Sequence, residues 1–293
     1  MAAIELLAVP NVSEGRNHSD VTAIGAAFAS HGVRLLDTHA DPDHHRSVYT
    51  LAGSVGELSA GLVSGAAETL RRVDLAEPRG VHPHVGAVDV VPLVYLSEDR
   101  RGAACAEALV VGDRLGDELD LPVLLYGALA GGRTRASLRR GGPSALVQRL
   151  RDGELRPDFG PCEAHPVAGV TLVTARPPLA AFNLELAPPA DLGTARAIAA
   201  RIREGGADGL PGVRALGLQL TARGGVAQVS MNVEDPLGVP LARVVAAVAA
   251  HAPIAAAEIV GLVPRAALQG FPGDLPVIGG AADSHVIEEA LGL

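Results

Sequence analysis

Val85-Gly86-Ala87-Val88-Asp89-Val90-Val91-Pro92-Leu93-Val94-Tyr95 decides how this chain is built. Five of its eleven residues are valine, and so many β-branched side chains in a mostly apolar run read as a buried strand. Working outward, residues 4 to 9 read as a strand closed by Pro10 and the polar run Asn11 to Asn17. Val21, Ile24, Ala27 and Phe28 then recur at helical spacing, so residues 19 to 31 read as a helix capped by Ser19 and ended by His31-Gly32. Val33 to Asp37 and Ser47 to Leu51 read as strands on either side of the charged stretch His39 to Arg46. Ser54 and Glu57 form a capping-box pair that opens a helix to about Arg72, with Leu58, Leu62, Ala66 and Leu70 on one face. The valine strand therefore closes the order strand, helix, strand, strand, helix, strand, the split βαβ unit of ferredoxin-like domains.

The order occurs a second time. Ala181 to Leu186 is a strand, and Asp191 to Arg203 a helix with Ala195, Ile198 and Ile202 on one face. Val213 to Leu220 and Val226 to Val233 form a hairpin around Arg223-Gly224-Gly225, Leu241 to Ala250 is a helix, and Ile254 to Leu262 is a strand. Between the two units lie a helix from about Glu98 to Glu118, a strand Val123 to Tyr126, an Arg- and Gly-rich loop 131 to 143, and the segment Asp158 to Arg176. The expectation is an α+β chain of two ferredoxin-like subdomains, the first with an added helix and strand. Pro177-Pro178 marks the boundary, giving domains 1–178 and 179–293, with a ligand cleft between them.

The 293 residues suffice for two such cores. A formal net charge of -9 argues against a nucleic-acid partner, since such binders carry a basic surface. The two cysteines, Cys105 and Cys162, are too few for a disulfide scaffold and lack zinc-site spacing, which fits a reducing cytoplasm. Glu5 and Pro10 interrupt any export signal. The apolar stretch between Arg243 and Glu258 contains His251 and Pro253 and falls short of the about 20 residues that span a bilayer, so a soluble protein is expected.

Three places carry chemistry. His82 and His84 stand at the mouth of the valine strand between Gly80 and Gly86, where an imidazole is rigidly held, near solvent, and able to give or take a proton near neutrality. The residues alone leave open a satisfied turn histidine, and also a metal site built from His82, His84 and the Asp37, His39, Asp41, Asp43, His44, His45 cluster. Neither set has zincin or paired-cysteine spacing, and no metal is expected. Arg133, Arg135, Arg139 and Arg140 form a cationic stripe suited to carboxylate or phosphate, or a solvated edge. Asp158-Phe159-Gly160-Pro161 and Gly169 bracket a loop of defined backbone course, or a linker. Neither a dinucleotide nor a P-loop fingerprint follows a strand, and no serine nucleophile elbow is present.

In order along the chain stand VPNVSEGRN at 9 to 17, LLD at 35 to 37, RSVYTLAG at 46 to 53, HPHVGAVDVVP at 82 to 92 and ELDLPVLLYG at 118 to 127. PDFGP at 157 to 161, AGVTLVTAR at 168 to 176, AFNLEL at 181 to 186, AQVSMNV at 227 to 233 and EIVGLVP at 258 to 264 follow. Together these stretches resemble the formimidoyltransferase family. The resemblance implies two α/β subdomains with a folate passage between them. It implies transfer of a formimidoyl group from N-formimidoyl-L-glutamate to tetrahydrofolate as co-substrate, within histidine degradation and one-carbon metabolism. The family's catalytic histidine falls on His82, as general acid and base. Its folate loop falls on Gly160, Pro161, Cys162, Glu163, Ala164, His165, Pro166, Val167, Ala168 and Gly169. Both substrates are anionic, so Arg46, Arg133 and Arg139 are candidates for their carboxylates.

The chain ends before the cyclodeaminase domain of the mammalian enzyme and so looks like the stand-alone transferase, expected as a cytoplasmic homodimer. It departs from the family pattern at His39, His45 and Ala168, and in the loss of a Glu-Tyr pair after Gly141; these positions touch substrate recognition more than proton transfer. Formimidoylglycine as donor, a metal-dependent hydrolase of formimidoyl compounds and a non-catalytic folate-binding module are the alternatives.

Overall fold

The structure, a computed structural model, describes residues 6–75 and 84–293. The chain divides into two compact units, Met1–Pro177 and Pro178–Leu293.

In the first unit, β1 (Leu6–Ala8) and β2 (Asn11–Val12) are two pieces of one central strand. The polar run after Pro10 therefore does not end the strand. Proline interrupts it because it lacks an N–H, yet the Pro10 carbonyl still accepts from Tyr49 N at 3.1 Å. Helix α1 (His18–Phe28) is capped by Asn17 rather than Ser19: the Asn17 side chain accepts from the Ser19 and Asp20 backbone. β3 (Arg34–Asp41) and β4 (Arg46–Gly53) run longer than expected, so His39 to Asp41 are strand residues and only a four-residue turn separates the two. Helix α2 (Glu57–Arg72) starts under Ser54, whose N–H and hydroxyl both donate to Glu57. The buried carboxylate of Glu107 also accepts from Gly56 N and Ser59 N at this helix start. β5 (Val88–Val94) completes the unit. Antiparallel pairs β3–β4, β4–β1 and β1–β5 give the order expected of βαββαβ.

The appendage is larger than one helix and one strand. It contains α3 (Arg101–Leu119), β6 (Val123–Leu125), α4 (Arg135–Arg139), α5 (Gly142–Arg151) and β7 (Thr171–Arg176). β7 runs parallel to both β5 and β6, extending the sheet to seven strands. The Arg-rich loop is thus partly helical, with Thr134 capping α4. Helices α1 to α3 pack on one sheet face with Leu6, Val12, Tyr49, Leu51, Val91 and Leu93. Leu138, Leu146 and Leu150 from α4 and α5 pack on the other with Val85, Val90 and Leu172. β5 faces both cores by alternation, and the register shift in its pairing with β2 between Asn11↔Val90 and Val12↔Val88 puts Val88 in the first core and Val90 in the second.

The second unit comprises β8 (Ala180–Leu186), α6 (Leu192–Ile202), β9 (Val213–Leu220), β10 (Val226–Val233), α7 (Leu241–Ala249) and β11 (Ile254–Val260), followed by the short α8 (Ile287–Leu291). Its sheet order β11-β8-β10-β9 is antiparallel throughout and is again that of βαββαβ. Among the described residues no helix is long and apolar enough to cross a membrane.

Candidate active site

The bulge in β5 puts a single acid, Asp89, inside an otherwise apolar strand, 1% exposed. A buried carboxylate needs partners to stay ionised. Asp89 Oδ1 accepts from Val85 N at 2.7 Å, three residues after His82 in the chain, and Oδ2 pairs with the Arg139 guanidinium of α4. Arg46, at the start of β4, belongs to the same group. Burial lowers its pKa to about 10; Asp89 and Asp41 oppose that shift, and Arg139 and Arg135 add to it. Arg135 in turn lies 5.9 Å above the Tyr126 ring. Three guanidiniums therefore act on two carboxylates, and Arg139 Nε is buried without an acceptor among the described residues. Such a set suits a bound anion, because a carboxylate would accept the orphan donor.

The loop 160 to 169 joins this group through the backbone. Gly86 and Gly169 face each other in an antiparallel bridge, Val170 N donates to Val85 O at 2.9 Å, and Ala87 N donates to Ala168 O at 2.9 Å. The loop closes on itself where His165 and Gly169 exchange both backbone hydrogen bonds, and His165 Nδ1 accepts from Ala168 N at 3.0 Å. Pro161, Cys162, Glu163, Pro166 and Val167 are exposed, Ala168 is buried, and Ala164 and His165 lie between these extremes. Gly160 takes φ +76°, and a Cβ there would meet Leu121 O at 2.2 Å.

A second buried polar group forms where the β3–β4 turn meets the segment after β2. Glu14 accepts from Arg16 N and Asn17 N, and His45 Nδ1 accepts from Gly15 N at 3.1 Å. His44 N donates to Asp41 Oδ1, and the His44 ring lies 3.4 Å from Oδ2 of the same carboxylate. Among the described residues no three His, Cys, Asp or Glu side chains are grouped as a metal site.

Of the residues expected from the sequence, Arg46 and Arg139 are brought together, and the loop 160 to 169 is hydrogen-bonded to the strand beside them. Arg133 is placed apart from that pair: it binds Leu125 O at 2.8 Å and the Asp158 carboxylate, fastening the loop's PDFGP entrance to β6. His82 lies outside the described residues. Sequence reasoning passed over Asp89, whose signal was one acid inside a valine run, and Arg135, which was read only as part of a stripe.

Comparison with known proteins places these features in a family. Residues 5–176 match the formiminotransferase domain, N-terminal subdomain, and residues 181–271 match the formiminotransferase domain. The chain is 36% identical over 273 residues to a glutamate formimidoyltransferase of Streptococcus pyogenes serotype M1, covering 89% of each chain. It is 31% identical over 296 residues to a glutamate formimidoyltransferase of Thermoplasma acidophilum, covering 97% of this chain and 96% of the relative. The formimidoyltransferase-cyclodeaminase of Gallus gallus is 36% identical over 274 residues; there the match covers 89% of this chain but only 50% of the relative, so the chain spans about half the length of such two-activity proteins.

Proposed function

Because the chain belongs to the formiminotransferase family, we propose that it moves the formimidoyl group of N-formimidoyl-L-glutamate to N5 of tetrahydrofolate, releasing glutamate and 5-formimidoyltetrahydrofolate. The observation that carries this reading is the convergence in one unit of the Arg46, Arg139 and Asp89 group with the loop 160 to 169, which bridges to Gly86 just ahead of β5. N5 attacks the formimidoyl carbon, and the tetrahedral adduct collapses as the bond to the glutamate nitrogen breaks. Amine leaving groups must be protonated, so His82 takes the N5 proton and delivers it to that nitrogen, a shuttle worth about 10²–10⁴ in rate. Arg46 and Arg139 take a substrate carboxylate, with Arg133 at the loop entrance, and the segment Gly160 to Gly169 borders the folate. Holding both substrates in one arrangement supplies the orientation part of the advantage.

A spectroscopic assay of 5-formimidoyltetrahydrofolate formation, run with formimidoylglutamate and with formimidoylglycine, tests both the reaction and the donor. His82→Ala should lose most turnover while still binding tetrahydrofolate; near-normal turnover in that variant would overturn the assignment of the proton shuttle.

A further inference from the structure

The second unit holds a polar group that this account leaves unused. β8 and β10 alternate, as does β11 after its bulge between Ile254 and Ala256: Phe182, Leu184, Val229, Met231, Ala257 and Ile259 pack in the core with α6 and α7, and Asn183, Gln228 and Glu258 lie between them on the opposite face. The register there sets Gln228 opposite Glu185, and both Ser230 and Glu258 opposite Asn183. Asn183, Gln228 and Glu258 are at most 2% exposed. Asn183 Nδ2 donates to Glu258 Oε2 at 2.8 Å and Gln228 Nε2 donates to the same oxygen at 3.4 Å. Arg223, from the β9–β10 turn, reaches Glu258 Oε1 at 2.9 Å and Glu185 Oε1 at 2.7 Å.

A carboxylate only accepts, so the Gln228 amide meets Glu258 through its NH2 end. Its Oε1 is then a buried acceptor, and it has no partner among the described residues. Leaving such an acceptor unmet is costly. A buried carbonyl acceptor calls for an N–H or O–H donor, not for an anion.

We propose that Gln228 Oε1, backed by Glu258 and Asn183, binds a planar N–H edge of a substrate. The ligand's identity rests on the formimidoyl-transfer reading, in which two groups have this chemistry: the aminopyrimidinone edge of tetrahydrofolate and the amidine of the donor. Calorimetric titration of the full chain with each compound separately distinguishes them. Gln228→Met, apolar and of similar volume, should weaken one ligand about tenfold and leave the other within about twofold. Gln228→Asn, which keeps an amide carbonyl on a shorter side chain, should retain more of that ligand's affinity than Gln228→Met does. Unchanged affinities in Gln228→Met overturn the proposal, as does a matched loss of both ligands with a lowered melting temperature. A wild type that transfers nothing, yet binds one ligand and loses it in Gln228→Met, would sink the functional reading and leave this inference standing; binding of neither ligand sinks both.

Discussion

Gly86 and Gly169 lie opposite one another with no room for a side chain on either. A Cβ on Gly86 would stand 2.2 Å from Val170 O, and one on Gly169 would stand 2.2 Å from Val85 O, at φ +68°. The bridge sews the loop 160 to 169 to the strand that follows His82. Gly169→Ala should therefore cost about 1–3 kcal/mol of stability. It should also raise KM for tetrahydrofolate more than KM for the formimidoyl donor. Steady-state kinetics with each substrate varied in turn, beside thermal melts, would check this; equal effects on both KM values would contradict the loop's assignment.

Asp89 pairs with Arg139 and its charge acts on Arg46. Asp89→Asn keeps an acceptor for Val85 N–H and removes the counter-charge of Arg139 and Arg46. Melting temperature should fall, and sulfate should restore it more strongly in the variant than in wild type at matched ionic strength, because the uncompensated guanidiniums then bind the anion. Equal sulfate responses would show that the arginines do not form an anion site.

The two βαββαβ units were legible because each strand and helix carries its own period. The β9–β10 hairpin, for example, falls at Val213–Leu220 and Val226–Val233 as read. Less legible was what depends on partners distant in sequence. Thr171–Arg176 looks like any apolar segment until β5 and β6 offer it parallel edges, and α4 is five residues long and held by packing more than by its own pattern. Of the candidate site, Arg139 could be named from the arginine stripe, and Arg46 once the family resemblance implied anionic substrates. Asp89, the residue that joins them, could not, because its meaning comes from a bulge and from a helix fifty positions away.

Arg46 sets an upper pH limit on anion binding. Its pKa is lowered to about 10, so the side chain is charged at neutrality and loses its proton as pH rises through that value. Affinity for the anionic donor, measured by calorimetry from pH 8 to pH 11, should fall through a transition near 10. Arg46→Met, which keeps the aliphatic bulk and removes the charge, should lose donor affinity at pH 7 and lose the transition near pH 10. A variant that binds the donor as wild type does, with the same pH profile, would contradict the assignment of Arg46.

Tyr49 sets a corresponding limit on stability. Fully buried against α1, its hydroxyl donates to Val21 O at 2.9 Å and accepts from Ser47 Oγ at 3.1 Å, and burial pushes its pKa up to about 12. The unfolded chain releases the phenolic proton near pH 10, and the folded chain keeps it until about 12. Between those values the unfolded state binds fewer protons, so stability falls as pH rises, by up to about 1.4 kcal/mol per pH unit. Below pH 10 the contribution is fully present. Tyr49→Phe should lose about 1 kcal/mol at pH 7 through the missing hydrogen bonds, and its urea midpoint should decline less steeply than that of wild type from pH 10 to 12. Parallel declines in the two proteins would mean that some other group governs alkaline unfolding.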